Sequence, residues 1–278
     1  MSEPARDQPE ELPAWSLSRE AAKTIALRAE WPDPVSRAWA WGESQGEGVR
    51  VCILDSGVEA EHRLVRPVDE AVVVVPRDDR LVLEEDQGGD VSGHGTACAS
   101  IVRAIAPACR LGSVRVLGGG FTGSGEALLA GLRWAVESGY DVVNMSLSTT
   151  KRAFAHELHE LADAAYFRRT VLVASAHNMP VESYPWRFAS VISVGCHDGA
   201  DPLAYYYNPT PPVEFFARGV GVEVAWPGDG QIRSTGNSLA TPHLTGVCAL
   251  ILSEHPRLTP FELKSLLYLT ATNVGGGR

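Results

Sequence analysis

From Arg50 onward, short runs of β-branched and apolar residues alternate with longer stretches of helical period, and that alternation constrains the fold more than any other feature of the chain. The runs are residues 51–54, 72–75, 113–117, 142–143, 171–173 and 191–194. Apolar runs this short read as strands buried on both faces, and parallel strands need long crossovers, usually helical, between them. The intervening sequence supplies those helices. Residues 127–136 put Leu128, Leu129, Leu132 and Val136 on one face, and 154–167 do the same with Leu158, Leu161 and Ala165. Thr259-Pro260-Phe261-Glu262 gives an N-cap, a proline in the first turn and a capping-box glutamate, which predicts a helix through Leu269. No repeat and no Pro/Gly/Ser linker divides the chain. The pattern predicts an α/β fold: a three-layer, doubly wound, mostly parallel sheet with helices on both faces. Residues 1–30, polar and then briefly helical over 17–28, are expected to form an N-terminal extension to one domain at 31–278.

Composition narrows the function. Hydrophobic residues make up 45% of the 278 and charged residues 21%, which excludes a disordered chain or a coiled coil. A net charge of −10 argues against a nucleic-acid partner, which would need a positive face. No apolar run approaches about 18 residues, so no membrane span is expected. The acidic, polar start lacks the pattern of a secretory signal, and a cytoplasmic location is expected. Cys52, Cys98, Cys109, Cys196 and Cys248 are odd in number and never spaced C-x-x-C, so buried thiols are expected rather than disulfides or a zinc site.

Three segments put a reactive side chain among residues too small to shield it. Ile53-Leu54-Asp55-Ser56-Gly57 is a buried strand ending in a carboxylate, at the rim where parallel sheets bind ligands. Gly93-His94-Gly95-Thr96 brackets a histidine with glycines that permit close approach, at the start of a small-residue helix. Gly236-Asn237-Ser238 opens an apolar helix, where exposed N–H groups can stabilise an oxyanion beside a nucleophile. Each residue taken alone is also explained as a turn or helix cap.

Read together in the order Asp, His, Ser, these segments resemble the subtilisin-like serine proteases, the subtilases. Asp55-Ser56-Gly57, Gly93-His94-Gly95-Thr96 and Gly236-Asn237-Ser238-Leu239-Ala240-Thr241-Pro242-His243 resemble the three signature blocks of that family. Residues 141–147 (DVVNMSL) resemble its cleft-lining strand, and 171–178 (VLVASAHN) the strand that ends in its oxyanion asparagine. The resemblance covers about residues 35–272. It implies a serine endopeptidase in which Ser238 is the nucleophile, His94 the general base and Asp55 the residue that orients it, with Asn178 donating to the oxyanion. It further implies an extended peptide or protein substrate held by Gly123, Ser124 and Gly125 on one side and Ser146, Leu147 and Ser148 on the other. Ser175, Ala176, His177 and Asn237 complete the expected cleft.

The chain departs from the family in four ways. His177 stands where the family usually has glycine, so the pocket for the residue before the cut is expected to be narrow or polar. Asn237 replaces a threonine, changing a donor beside the oxyanion. No cofactor or metal is expected; the segment after His94 lacks the longer loop that binds calcium in many relatives, and a structural calcium elsewhere is left open. The chain also ends early, and its first 30 residues are too short for the pro-domain of secreted members. Leu12-Pro13-Ala14-Trp15 is a candidate for a stretch lying over the cleft. Trp186 is expected near the pocket as well.

Two other chemistries are set aside. Gly118-Gly119-Gly120-Phe121-Thr122-Gly123 satisfies G-x-G-x-x-G but lacks the acid at the end of the next strand that a dinucleotide site needs. His156-Glu157-Leu158-His159 is one residue short of the zinc-binding H-E-x-x-H. The function expected is an intracellular processing endopeptidase of narrow specificity, for example one that cleaves precursors or leader peptides. The alternatives left open are a general peptide-degrading enzyme and a weakly active binding or scaffolding protein on the same fold.

Overall fold

The structure, a computed structural model, describes residues 16–25, 31–78 and 80–276. The Leu12-Pro13-Ala14-Trp15 stretch lies outside these residues. The chain divides into two compact units, Met1–Pro34 and Val35–Arg278. In the first, a five-residue helix α1 (Arg19–Lys23) is capped by Ser18, whose Oγ accepts from the Ala21 N–H at 3.1 Å.

The second unit begins with the single turn α2 (Arg37–Ala40) and then builds a nine-stranded sheet. In chain order its strands are β1 (Arg50–Asp55), β2 (Glu70–Arg77), β3 (Arg80–Glu85), β4 (Arg110–Arg115), β5 (Val142–Met145), β6 (Val171–Ser175), β7 (Ile192–His197), β8 (Tyr205–Tyr207) and β9 (Phe215–Arg218). They lie in the order β3-β2-β4-β1-β5-β6-β7-β9-β8. Seven strands run parallel, and the edges β3 and β8 pair antiparallel with their neighbours. Strand β1 is central, with β4 on one side and β5 on the other, so the chain reverses its direction of travel across the sheet there. The carboxyl end of β1 is therefore the switch point at which α/β sheets place ligands, and Asp55 is its last residue.

Helices α3 (His94–Ile105), α4 (Gly125–Glu137), α5 (Ala155–Arg168), α6 (Asn237–Glu254) and α7 (Pro260–Thr270) cover both faces. Strand alternation shows which helix takes which face. Val143 and Met145 of β5 join Cys52 and Leu54 of β1 in one core with Leu128, Leu132, Leu158 and Ala162 from α4 and α5. Asn144, between them, points the other way, and its Oδ1 accepts from Thr245 Oγ1 of α6 at 3.0 Å. Helix α6 carries no amphipathic stripe because it is enclosed all round: every residue from Leu239 to Leu252 is buried. A two-stranded ribbon, β10 (Val222–Trp226) and β11 (Gly230–Ser234), packs Val222 and Val224 on Ala97, Ile101 and Leu239 of α3 and α6. The antiparallel edges and this ribbon escape the sequence pattern because each contains exposed positions and so lacks an unbroken buried apolar run. Helix α7 carries the full capping box of Thr259 and Glu262.

One buried group makes the fold acid-sensitive. His243 lies inside α6, 4% exposed, and donates Nδ1–H to the Leu239 carbonyl at 2.8 Å. Burial lowers its pKa from 6.5 to about 4. Below pH 6.5 the unfolded chain takes up a proton that the folded protein refuses, so stability falls as the pH drops through that window. The gap corresponds to ~3 kcal/mol. Unfolding free energies from urea melts at pH 7 and pH 4 are expected to fall by about that much more in the wild type than in His243→Gln, which keeps a donor for Leu239 and does not titrate.

Candidate active site

Asp55 is fully buried at the end of β1, and His94 is the first residue of α3. The two segments meet through glycines. A Cβ on Gly95 would lie 2.0 Å from the Gly57 carbonyl oxygen, so the backbone after Asp55 can touch the first turn of α3 only because residue 95 has no side chain. The glycines around His94 thus serve the approach of the protein's own chain. The imidazole Nδ1 lies 2.9 Å from both Asp55 carboxylate oxygens. An ionised carboxylate only accepts, so Nδ1 carries the proton and the neutral ring keeps a basic Nε2. Burial acts to lower the His94 pKa, and the Asp55 charge more than reverses it, holding the imidazolium above its ordinary 6.5.

Ser238 is the second residue of α6, so its N–H has no acceptor within the helix. Its carbonyl is equally unusual. Pro242, four residues on, has no N–H to give it, and Ser146 at the end of β5 donates Oγ–H to it instead, at 2.7 Å. Asn144 Nδ2 donates to Ser146 Oγ at 3.0 Å, so a buried polar chain from β5 fixes the Ser238 backbone. Cys98 packs underneath, with Sγ 3.9 Å from His94 Nδ1 and 3.7 Å from the Ser238 carbonyl. Asp55, His94 and Cys98 are the one set of potential metal ligands that converges among the described residues, within 4.8 Å. Both Asp55 oxygens already accept from His94, and burial pushes the Cys98 thiol up and keeps it protonated. The set is a hydrogen-bonded carboxylate–imidazole pair packed over a protonated thiol.

Asn178 follows the loop after β6. Its Oδ1 accepts the Asn237 N–H at 3.0 Å, and since that partner can only donate, the amide orientation is fixed and Nδ2 is turned outward. The position of a Cβ on Gly236 lies 3.2 Å from Ser238 Oγ and 3.7 Å from Asn178 Nδ2, so glycine keeps clear the space these two groups share. A hydroxyl, an amide and a helix N-terminus lie close together here, an arrangement suited to an acyl carbon and its developing oxyanion.

His94, Ser238 and Asn178 line one cavity of about 590 Å³ together with Gly123, Ser124, Gly125, Ser146, Leu147, Ser148, Ser175, Ala176 and His177. Val116, Leu117, Thr122, Leu128, Thr149, Ser234 and Thr235 complete the wall; in the sequence they stand in strand, turn or helix-face positions that do not point to a cleft. One expectation needs correction. Asn237 does not face this cavity: its Oδ1 accepts from the Cys196 N–H at 2.9 Å, and its Nδ2 donates to the Ala176 and His177 carbonyls at 3.3 Å. Its amide is spent on holding the loop that carries Asn178. Trp186 lines a neighbouring cavity of about 390 Å³, on which Asn237 also borders, and donates Nε1–H to Ser183. His177 borders both cavities, and its Nδ1 accepts from the Met179 N–H at 3.0 Å.

Residues 46–278 match the subtilase family model. The chain is 33% identical to subtilisin DY of Bacillus licheniformis over 246 residues, covering 83% of this chain and 86% of that protein. It is 29% identical to an alkaline protease of Shouchella clausii over 278 residues, covering 95% and 70% respectively. Among solved structures it resembles a cold adapted subtilisin-like serine proteinase, with a TM-score of 0.65 and 26% identity over 81% of this chain and 82% of the other.

Proposed function

Since the chain belongs to the subtilase family and is a subtilisin-like serine endopeptidase, we propose that Ser238, His94 and Asp55 are its nucleophile, general base and orienting carboxylate. Ser238 Oγ attacks the scissile carbonyl carbon as its proton passes to His94 Nε2. The imidazolium then gives that proton to the leaving amine, and the C–N bond breaks to leave an ester on Ser238. Water repeats the sequence with the same base, releasing the acid and restoring the serine. Asp55 stabilises the imidazolium without taking its proton. The oxyanion is met by Asn178 Nδ2 and the Ser238 N–H. The observation that carries this reading is the Asp55–His94 pair, 2.9 Å apart, at the cavity that Ser238 and Asn178 also line.

The substrate is an extended peptide whose backbone pairs with residues 123–125 and 146–148. Neither segment belongs to a strand of the sheet. Among the described residues the cavity is lined by no acidic or basic residue other than His94 and His177, and Ser148, Thr149 and His177 belong to its wall. Those features favour small or polar uncharged residues before the cut, and hence a dedicated processing protease. The five unpaired cysteines support an intracellular, reducing setting.

A fluorophosphonate tests the catalytic assignment. Mass spectrometry is expected to find one adduct, on Ser238, formed at a rate that rises with pH as His94 loses its proton, with a midpoint above 6.5. Folded protein left unlabelled would refute the assignment. Cleavage of a diverse peptide library is expected to concentrate on few residue types, and cuts after many unrelated side chains would refute the narrow-specificity reading.

A further inference from the structure

Helix α3 begins without a capping side chain. Gly93, its N-cap, has φ +88°, and a Cβ there would stand 2.8 Å from the Trp226 ring, so no serine, threonine or aspartate fits that position. The first-turn N–H groups still need acceptors; that of Thr96 finds Asp90, three residues before the N-cap, and that of Gly95 finds Ser56. Asp90 Oδ1 accepts from the Ser92 N–H at 3.0 Å, the Gly93 N–H at 2.7 Å and Ser56 Oγ–H at 2.8 Å. Its Oδ2 accepts from Thr96 N–H at 2.8 Å and Thr96 Oγ1–H at 2.6 Å.

These contacts reach both halves of the Asp55–His94 pair. Ser56 gives its N–H to Asp55 Oδ1 at 2.8 Å and takes the Gly95 N–H on its Oγ at 3.1 Å. Gly93 and Gly95 flank His94 in the chain. One carboxylate therefore holds the residue after Asp55 and the backbone on either side of His94. We propose that Asp90 is a positioning residue for catalysis, a clamp that locks the end of β1 to the first turn of α3 and so fixes the imidazole against the Asp55 carboxylate. This rests on the catalytic roles proposed above.

The chemistry requires a carboxylate. All five contacts donate toward Asp90, so both oxygens must accept, and an asparagine would turn an amide N–H toward either the Thr96 side or the Ser92 and Gly93 side. Asp90→Asn is expected to lower kcat, per active site titrated with fluorophosphonate, by about 10–100-fold, with KM within about twofold, because a displacement near 1 Å costs that much. The far-downfield proton signal of His94 Nδ1–H is expected to broaden or vanish. Ser56→Ala removes the bridge from Asp90 to Gly95 while leaving the backbone intact, so it tests the clamp even where Asp90→Asn does not fold. It is expected to lower kcat about 3–10-fold in the same manner, a smaller effect because Asp90 keeps its other donors. A merely structural role would reduce the titratable fraction and leave kcat per site and the proton signal unchanged, which overturns the proposal. Wild-type protein that is folded but not labelled at Ser238 would instead overturn the catalytic assignment.

Discussion

Ser238→Ala is expected to reduce kcat by on the order of 10⁶, the magnitude known for the corresponding group of a subtilisin. The loss is large because the other groups act through this hydroxyl: His94 has no proton to take once it is gone. For the same reason the double variant Ser238→Ala, His94→Ala is expected to be no slower than the single one. Residual hydrolysis of about 10³–10⁴ over water should survive in both, supplied by substrate positioning and the oxyanion donors. Steady-state kinetics on one peptide substrate reads both variants against the wild type. A Ser238→Ala enzyme retaining more than a hundredth of wild-type kcat would mean that another group is the nucleophile.

Asn178→Ala is expected to lower kcat by about 10²–10³, with KM changed little, a magnitude taken from the equivalent donor of a subtilisin. The donor is prepaid in geometry, since Asn178 Oδ1 is tied to the Asn237 N–H and Nδ2 needs no reorientation as charge develops. Truncation removes an interaction made in the transition state, and the freed Asn237 N–H sits where water can reach it. A KM rise at unchanged kcat would instead place Asn178 in ground-state binding. The rate loss should persist across substrates with different side chains, because the oxyanion is common to all of them.

These two effects are the part of the site that the sequence made legible. Asp55, His94 and Ser238 stand in blocks whose order and small neighbours point to one chemistry, and Asn178 follows a readable buried strand. The strands at 51–54, 142–143 and 171–173 and the capping box at Thr259 were equally legible, because burial on both faces and local capping both leave local patterns. Asn237 was not. Its place beside Ser238 pointed to the cleft, whereas its amide reaches Cys196, 41 residues away, and the loop after β6. The direction of a side chain at a helix start depends on which distant backbone groups lack partners.

Taken alone, the sequence determined the layered α/β architecture, the Asp, His, Ser order and the helix on which the nucleophile sits, since each follows from periodicity, turn chemistry or short motifs. Only the tertiary structure decided how those groups are held. Pro242 frees the Ser238 carbonyl within one helix, but that Ser146 fills the vacancy follows from β5 lying beneath α6. Gly93 removes a cap locally, but Asp90 takes over because the end of β1 is brought against α3, closely enough that Gly95 tolerates no Cβ. Buried polar groups must be satisfied, and packing chooses the partner.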